Sequence, residues 1–120
     1  MLPLNVELTA ALKQLNDAVH AITLRSRQST LQERQKGIEF LAARSANPDV
    51  IKIFADALRR FGHNLTDAEK IRIADILRAQ ENMPPITAQT LRDSLEKIII
   101  NEKSPRAGAA LRAALEKVSS

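Results

Sequence analysis

The sequence predicts an all-α fold, a compact single-domain bundle of about six helices. Three observations predict it. Apolar residues recur in nearly every segment at the three- and four-residue spacing of amphipathic helices, and no segment keeps the alternation of a β-strand. Most of these segments begin with a residue that caps helices, followed by Pro or by Glu three positions later. The connections between the segments are short, as they are in helix bundles.

The predicted helices span residues 5–25, 31–44, 48–61, 67–80, 88–101 and 105–118. With 120 residues the chain is long enough for one hydrophobic core, which predicts a single helical domain over residues 1–120. The polar residues 25–30 form a hinge at which the first helix can separate from the others.

The first predicted helix carries an apolar seam, in which five residues follow a 4-3-4-3 spacing: Leu8, Leu12, Leu15, Val19 and Ile22. This is the pattern of a coiled-coil seam over about two heptads. Such a seam either faces the core of its own bundle or is offered to another protein or a second copy of the chain. We take it as a candidate partner interface.

The start signals of the later helices are capping residues, namely Thr30 with Glu33, Asn47 with Pro48, Thr66 with Glu69, Thr87, and Ser104 with Pro105. Before the fifth helix, Ile86 is positioned to pack on Leu91 as a hydrophobic staple. Leu31 is expected to face inward. Gly62 is expected to end the third helix in a left-handed conformation.

The composition excludes several classes of site. The chain has no Cys, which excludes disulfides, Cys-ligated zinc and thiol nucleophiles. Its 18 Lys and Arg against 14 Asp and Glu leave a net charge of +4. The excess is mild and lies mostly in residues 1–60, whereas a domain that neutralises phosphates usually concentrates its charge further.

Few residues are suited to catalysis. His20 and His63 are the only two histidines. His20 shares one short helix surface with Asp17 and Thr23, a geometry poorly suited to acyl transfer. The chain has neither of the glycine-rich motifs that bind nucleotide phosphates. The sequence therefore predicts a protein that is not an enzyme, with no catalytic, cofactor-binding or metal-binding residues and no cofactor.

Residues 70–118 lay out as three helices, the last of which follows Ser104 and Pro105. This layout resembles the tri-helical core of helix-turn-helix domains, in which the last helix enters the major groove of DNA. The resemblance implies nucleic-acid contacts by Lys103, Ser104, Arg106, Arg112 and Lys117.

The sequence thus favours a protein–protein interaction module, such as an adaptor, inhibitor, chaperone-like or effector-type domain, with a DNA-binding protein as the alternative. The expected partner is another protein or a second copy of the chain. No membrane partner is expected, because no apolar stretch approaches the ~20 residues of a membrane span. In the absence of a secretory signal pattern the expected location is cytoplasmic, and export by a specialised secretion system stays open.

Overall fold

The structure of the protein, a computed structural model, describes Leu15, residues 30–62 and residues 65–119. The chain divides into two compact units, Met1–Ala43 and Arg44–Ser120. The described residues form five α-helices: α1 (Leu31–Ala42), α2 (Pro48–Phe61), α3 (Asp67–Arg78), α4 (Pro85–Asn101) and α5 (Pro105–Ser119).

The predicted all-α fold class is confirmed, since these residues are helical and include no β-strand. The sixth predicted helix, over residues 5–25, and the hinge over residues 25–30 lie outside the described residues, except for Leu15 and Thr30. Within the described part of the chain, no helix is long and apolar enough to cross a bilayer.

In the first unit, α1 begins as predicted. The Thr30 hydroxyl accepts a hydrogen bond from the Glu33 N–H at 3.1 Å, which satisfies one of the free donors at the helix start. Ile38 and Leu41 are fully buried. The helix ends at Ala42 rather than at residue 44. The prediction that Leu31 faces inward is wrong, because its side chain is 44% exposed in the first turn.

In the second unit, three start signals are confirmed. The Asn47 side chain accepts from the Asp49 N–H ahead of Pro48, and Thr66 and Glu69 form the predicted reciprocal capping box. The Ser104 hydroxyl accepts from the Ala107 N–H at the start of α5. These bonds are made within three residues of the cap, which is why the sequence alone predicts them.

The four helices of the second unit bury a common core. α3 packs most extensively on α5, α4 packs on both α2 and α5, and α2 and α3 meet over a short stretch. The largest fully buried side chains of this core are Phe54, Ile73, Leu77, Leu91, Leu95 and Leu111. The small residues Ala107 and Gly108 of α5 are also buried.

Three details of the second unit differ from the sequence prediction. α3 ends at Arg78, two residues early. Gly62 is right-handed at φ −57°, and its carbonyl accepts a hydrogen bond from the Leu65 N–H. α4 begins at Pro85 rather than at residue 88, so Thr87 lies inside the first turn and does not cap it.

Candidate functional site

The second unit contains a cavity of about 320 Å³, which lies where the start of α2 meets the connection from α3 to α4. Its lining comes from three short segments: Ser45, Ala46, Pro48 and Ile51; Gln80, Glu81, Asn82, Met83 and Pro84; and Thr87. A volume of this size is at the small end of the range for ligand-binding pockets in proteins.

The start of α2 forms one wall of the cavity and is held by hydrogen bonds at its cap. The Asn47 side chain accepts from the Asp49 N–H at 2.9 Å, and the Asn47 carbonyl accepts from the Val50 N–H at 3.0 Å. Pro48 needs no partner, since it has no N–H, and its fixed φ suits the first turn. Ile51 is 3% exposed and anchors this turn in the core.

The connection from α3 to α4 is shaped by side-chain bonding and by one unusual backbone conformation. Gln80 Nε2 donates to the Ile76 carbonyl at 2.8 Å and closes the end of α3. Asn82 then adopts a left-handed conformation with φ at 58°, which Asn tolerates better than most residues. Together they turn the chain so that Met83 and Pro84 line the cavity.

The start of α4 forms the third wall of the cavity. α4 begins after Pro84 without a side-chain capping bond. Thr87, in the first turn, is 5% exposed and lines the cavity.

One part of the rim of the cavity is apolar: Met83 and Pro84 line the cavity, and Pro85 and Ile86 follow them in the chain. The Ile86 side chain is 79% exposed, so the predicted staple onto Leu91 is wrong. The physical reason is that α4 starts earlier than predicted, which turns Ile86 outward in the first turn. Pro84 and Pro85 are exposed beside it. Glu81 is the one charged residue in the lining.

A second polar cluster lies where the start of α3 meets the connection from α4 to α5. Lys70 Nζ donates to Glu102 Oε2 at 2.9 Å, and Glu102 Oε1 accepts from the Ser104 N–H at 3.0 Å. The Ser104 hydroxyl donates to Asp67 Oδ2 at 2.8 Å. The cluster ties α3 to the beginning of α5.

The electrostatics of this cluster favour the charged form of Glu102. Burial raises the pKa of its carboxyl, but the hydrogen bonds from Lys70 and the Ser104 N–H and the charge of Lys70 lower the pKa by more. Its pKa therefore lies below the ordinary value. The cluster holds an ion pair and a helix cap, both of which serve the fold.

The basic residues of the DNA-binding alternative lie on the surface. Lys103, Arg106, Arg112 and Lys117 are exposed on α5 or just before it. The hydroxyl of Ser104, which the same alternative assigns to a phosphate, is engaged by Asp67 and by the Ala107 N–H.

Most of the candidate partner interface lies outside the described residues. This holds for Leu8, Leu12, Val19 and Ile22, whereas Leu15 is helical and partly buried. His20 and His63 also lie outside the described residues. In the part that is described, no group of three or more His, Cys, Asp or Glu side chains is placed to hold a metal ion.

The cavity was not predicted from the sequence. It depends on the packing of α2 against α4, which brings together segments that are far apart in the chain. One signal was available in the sequence, since Pro85 suits the first position of a helix and Pro84 then stands where a capping Ser, Thr, Asp or Asn is usual. Comparison with protein-family models, curated proteins and solved structures gives no significant match for this chain.

Proposed function

We propose that this chain acts by binding another protein, and that the cavity between the starts of α2 and α4, with its apolar rim, is the contact surface. The observation that supports this proposal most directly is the exposure of Ile86. Its side chain is 79% exposed, and its neighbour Thr87 lines the cavity. Concave sites that combine apolar and polar groups are the usual form of recognition pockets, and half of the residues that line this cavity are polar.

The apolar character of the rim supports this proposal. Met83, Pro84, Pro85 and Ile86 follow one another in the sequence, and Ile86 projects into solvent. Exposed apolar residues that cluster beside a pocket mark contact surfaces more often than isolated ones do. Pro84 and Pro85 also hold the rim in one conformation, which lowers the entropy lost on binding.

The charge pattern around α4 supports a protein rather than a polyanion as the partner. Its exposed residues include Asp93, Glu96 and Lys97, so this surface has no positive excess. The cavity itself contains Glu81 and no Lys or Arg. The candidate interface at Leu8, Leu12, Leu15, Val19 and Ile22 stays a separate prediction.

Photo-cross-linking tests this proposal with a matched control on the same helix. A photoreactive phenylalanine analogue is placed at Ile86 in one variant and at Ile100 in the other, since Ile100 is 80% exposed at the far end of α4. We expect a protein adduct in native cells from position 86 and not from position 100. The adduct is identified, and that protein is purified for binding measurements. Equal adducts from the two positions contradict the proposal.

Binding to duplex DNA is the second candidate. Residues 103–119 carry four basic side chains and one acidic side chain, and the basic ones are exposed. Affinity for a random duplex is measured at low and moderate salt, because phosphate contacts weaken steeply with salt. A steep dependence that flattens in Arg106→Ala and Arg112→Ala supports DNA binding. No binding at low salt contradicts it.

A further inference from the structure

We infer that the cavity between the starts of α2 and α4 takes an arginine side chain of the partner protein. The inference rests on the proposed protein binding and names the chemistry of the partner at this site. It depends on the charge of the lining, on the arrangement of its polar and apolar residues, and on the size of the cavity.

The charge of the lining is negative. Among the described residues that line the cavity, Glu81 is the one charged residue and none is Lys or Arg. Glu81 is exposed and takes part in no ion pair within the described part of the chain, so its carboxylate is available to a ligand. Because opposite charges favour association and like charges oppose it, this lining favours a cationic group over an anionic one.

The negative charge lies at one side of the cavity, where the chain leaves α3. Gln80, Glu81 and Asn82 follow one another there, and the C-terminal end of a helix adds a partial negative charge. Arg78, the basic residue in the last turn of α3, is not among the residues that line the cavity. The other two walls include the starts of α2 and α4, whose partial charge is positive. A cationic group is therefore expected beside Glu81 and away from the two helix starts.

Two side-chain amides stand next to Glu81 in the chain and also line the cavity. Gln80 Nε2 donates to the Ile76 carbonyl at 2.8 Å, which leaves Gln80 Oε1 as an acceptor. The Asn82 amide supplies a second oxygen. Arginine suits such a set better than lysine, because a planar guanidinium has five N–H donors and can bond a carboxylate with two of them while others reach neighbouring oxygens.

The rest of the lining suits the aliphatic part of the same side chain. Pro48, Ile51, Met83 and Pro84 line the cavity together with the polar residues. An arginine packs its methylene groups on apolar surface and keeps its charged end in a polar environment. The volume of about 320 Å³ corresponds to a cube about 7 Å on each edge, which is narrower than a helix of about 10 Å and admits one extended side chain.

The test uses the full chain, labelled with ¹⁵N, and small probes of the arginine side chain. N-acetyl-arginine methylamide carries the guanidinium, and N-acetyl-citrulline methylamide is its neutral control of nearly the same shape. We expect the arginine probe to shift the backbone amide signals of Gln80, Glu81 and Asn82. We expect it to bind about fivefold more tightly than the citrulline probe at low salt, with the difference decreasing as salt is added. Equal binding of the two probes, or shifts that leave these three residues unaffected, overturns the inference.

Two further probes distinguish other occupants. N-acetyl-lysine methylamide presents a compact ammonium, and N-acetyl-leucine methylamide presents an apolar side chain. We expect both to bind more weakly than the arginine probe, and binding as tight by either one overturns the assignment to arginine. If the signals of residues 80–82 change with protein concentration alone, the occupant is a second copy of the chain, and the inference is equally overturned.

A pair of variants tests the role of Glu81. Glu81→Gln removes the charge and keeps the shape of the side chain, and Glu96→Gln makes the same change at an exposed position of α4. We expect Glu81→Gln alone to reduce the affinity for the arginine probe to that for the citrulline probe. Equal affinities of the two variants for the arginine probe contradict this role. Since these titrations use no partner protein, their failure overturns the arginine inference, whereas equal cross-linking at positions 86 and 100 overturns the proposed function.

Discussion

Lys70 Nζ lies 2.9 Å from Glu102 Oε2, and this ion pair joins α3 to the residue that follows α4. The two side chains are 11% and 8% exposed, so each charge has lost most of its water. Removing one partner of such a pair leaves the other charge poorly solvated and unpaired. The pair therefore fixes the connection from α4 to α5 onto α3.

Replacing Glu102 tests the role of this pair. We expect Glu102→Gln to lower the free energy of unfolding by about 1–3 kcal/mol, because Lys70 keeps its charge and loses its anionic partner. Urea denaturation measures the change. The matched control is Glu96→Gln, which alters an exposed residue of α4 and is expected to change stability by less than about 0.5 kcal/mol. Equal effects of the two substitutions would show that the pair contributes nothing to stability.

The lowered pKa of Glu102 predicts a pH dependence of stability. Its folded-state pKa lies below the ordinary value of 4.5, so the unfolded chain binds the proton more tightly than the folded protein does. The stability it contributes is present above the unfolded pKa and is lost as pH falls through the folded pKa. We expect the free energy of unfolding to decrease on acidification below about pH 4.5, and Glu102→Gln to reduce that decrease. Identical pH profiles for the two proteins are inconsistent with a lowered pKa.

The capping box at the start of α3 provides a local test of helix stability. The Thr66 hydroxyl accepts from the Glu69 N–H at 3.2 Å, and Glu69 Oε1 accepts from the Thr66 N–H at 3.1 Å. We expect Thr66→Ala to cost about 1 kcal/mol in thermal or urea unfolding, the usual loss for an N-cap. Thr90→Ala, at an exposed position within α4, makes the same chemical change without a cap. A loss in Thr90→Ala as large as that in Thr66→Ala argues against the capping role.

The left-handed residue in the cavity wall gives a further prediction. Asn82 has φ at 58°, where a β-branched side chain is strained and glycine is not. We expect Asn82→Val to destabilise the protein by about 1–2 kcal/mol, and Asn82→Gly to be neutral or slightly stabilising. Calorimetric unfolding of the two variants measures the difference. The left-handed conformation is contradicted if Val is tolerated as well as Gly.

The sequence predicted the helices of the second unit well because their starts are set locally. Thr66, Asn47 and Ser104 each bond to an N–H two or three residues away, and such bonds can be recognised from spacing alone. The start of α4 was mispredicted because the prediction relied on the same kind of local signal, which is misleading there. Thr87 resembles a cap in the sequence, but Pro85 already suits the first helical position and lies ahead of it.

The candidate site could not be predicted in the same way. The cavity exists because α2 packs on α4 and brings Ser45 and Pro48 near Met83 and Thr87, and no local pattern encodes that contact. The exposure of Ile86 also depends on where the helix begins, since a shift of a few residues moves a side chain to another face.

The central claim is that the protein binds a partner through the cavity at the start of α4. Its most direct test is the affinity of the purified protein that cross-links at position 86 for two variants, Ile86→Asp and Ile100→Asp. The two positions are 79% and 80% exposed, so neither substitution removes core packing. We predict that Ile86→Asp weakens binding by about tenfold or more, which corresponds to at least about 1.4 kcal/mol, and that Ile100→Asp leaves the affinity unchanged. Equal affinities of wild type and Ile86→Asp, measured by isothermal titration calorimetry, would contradict the claim.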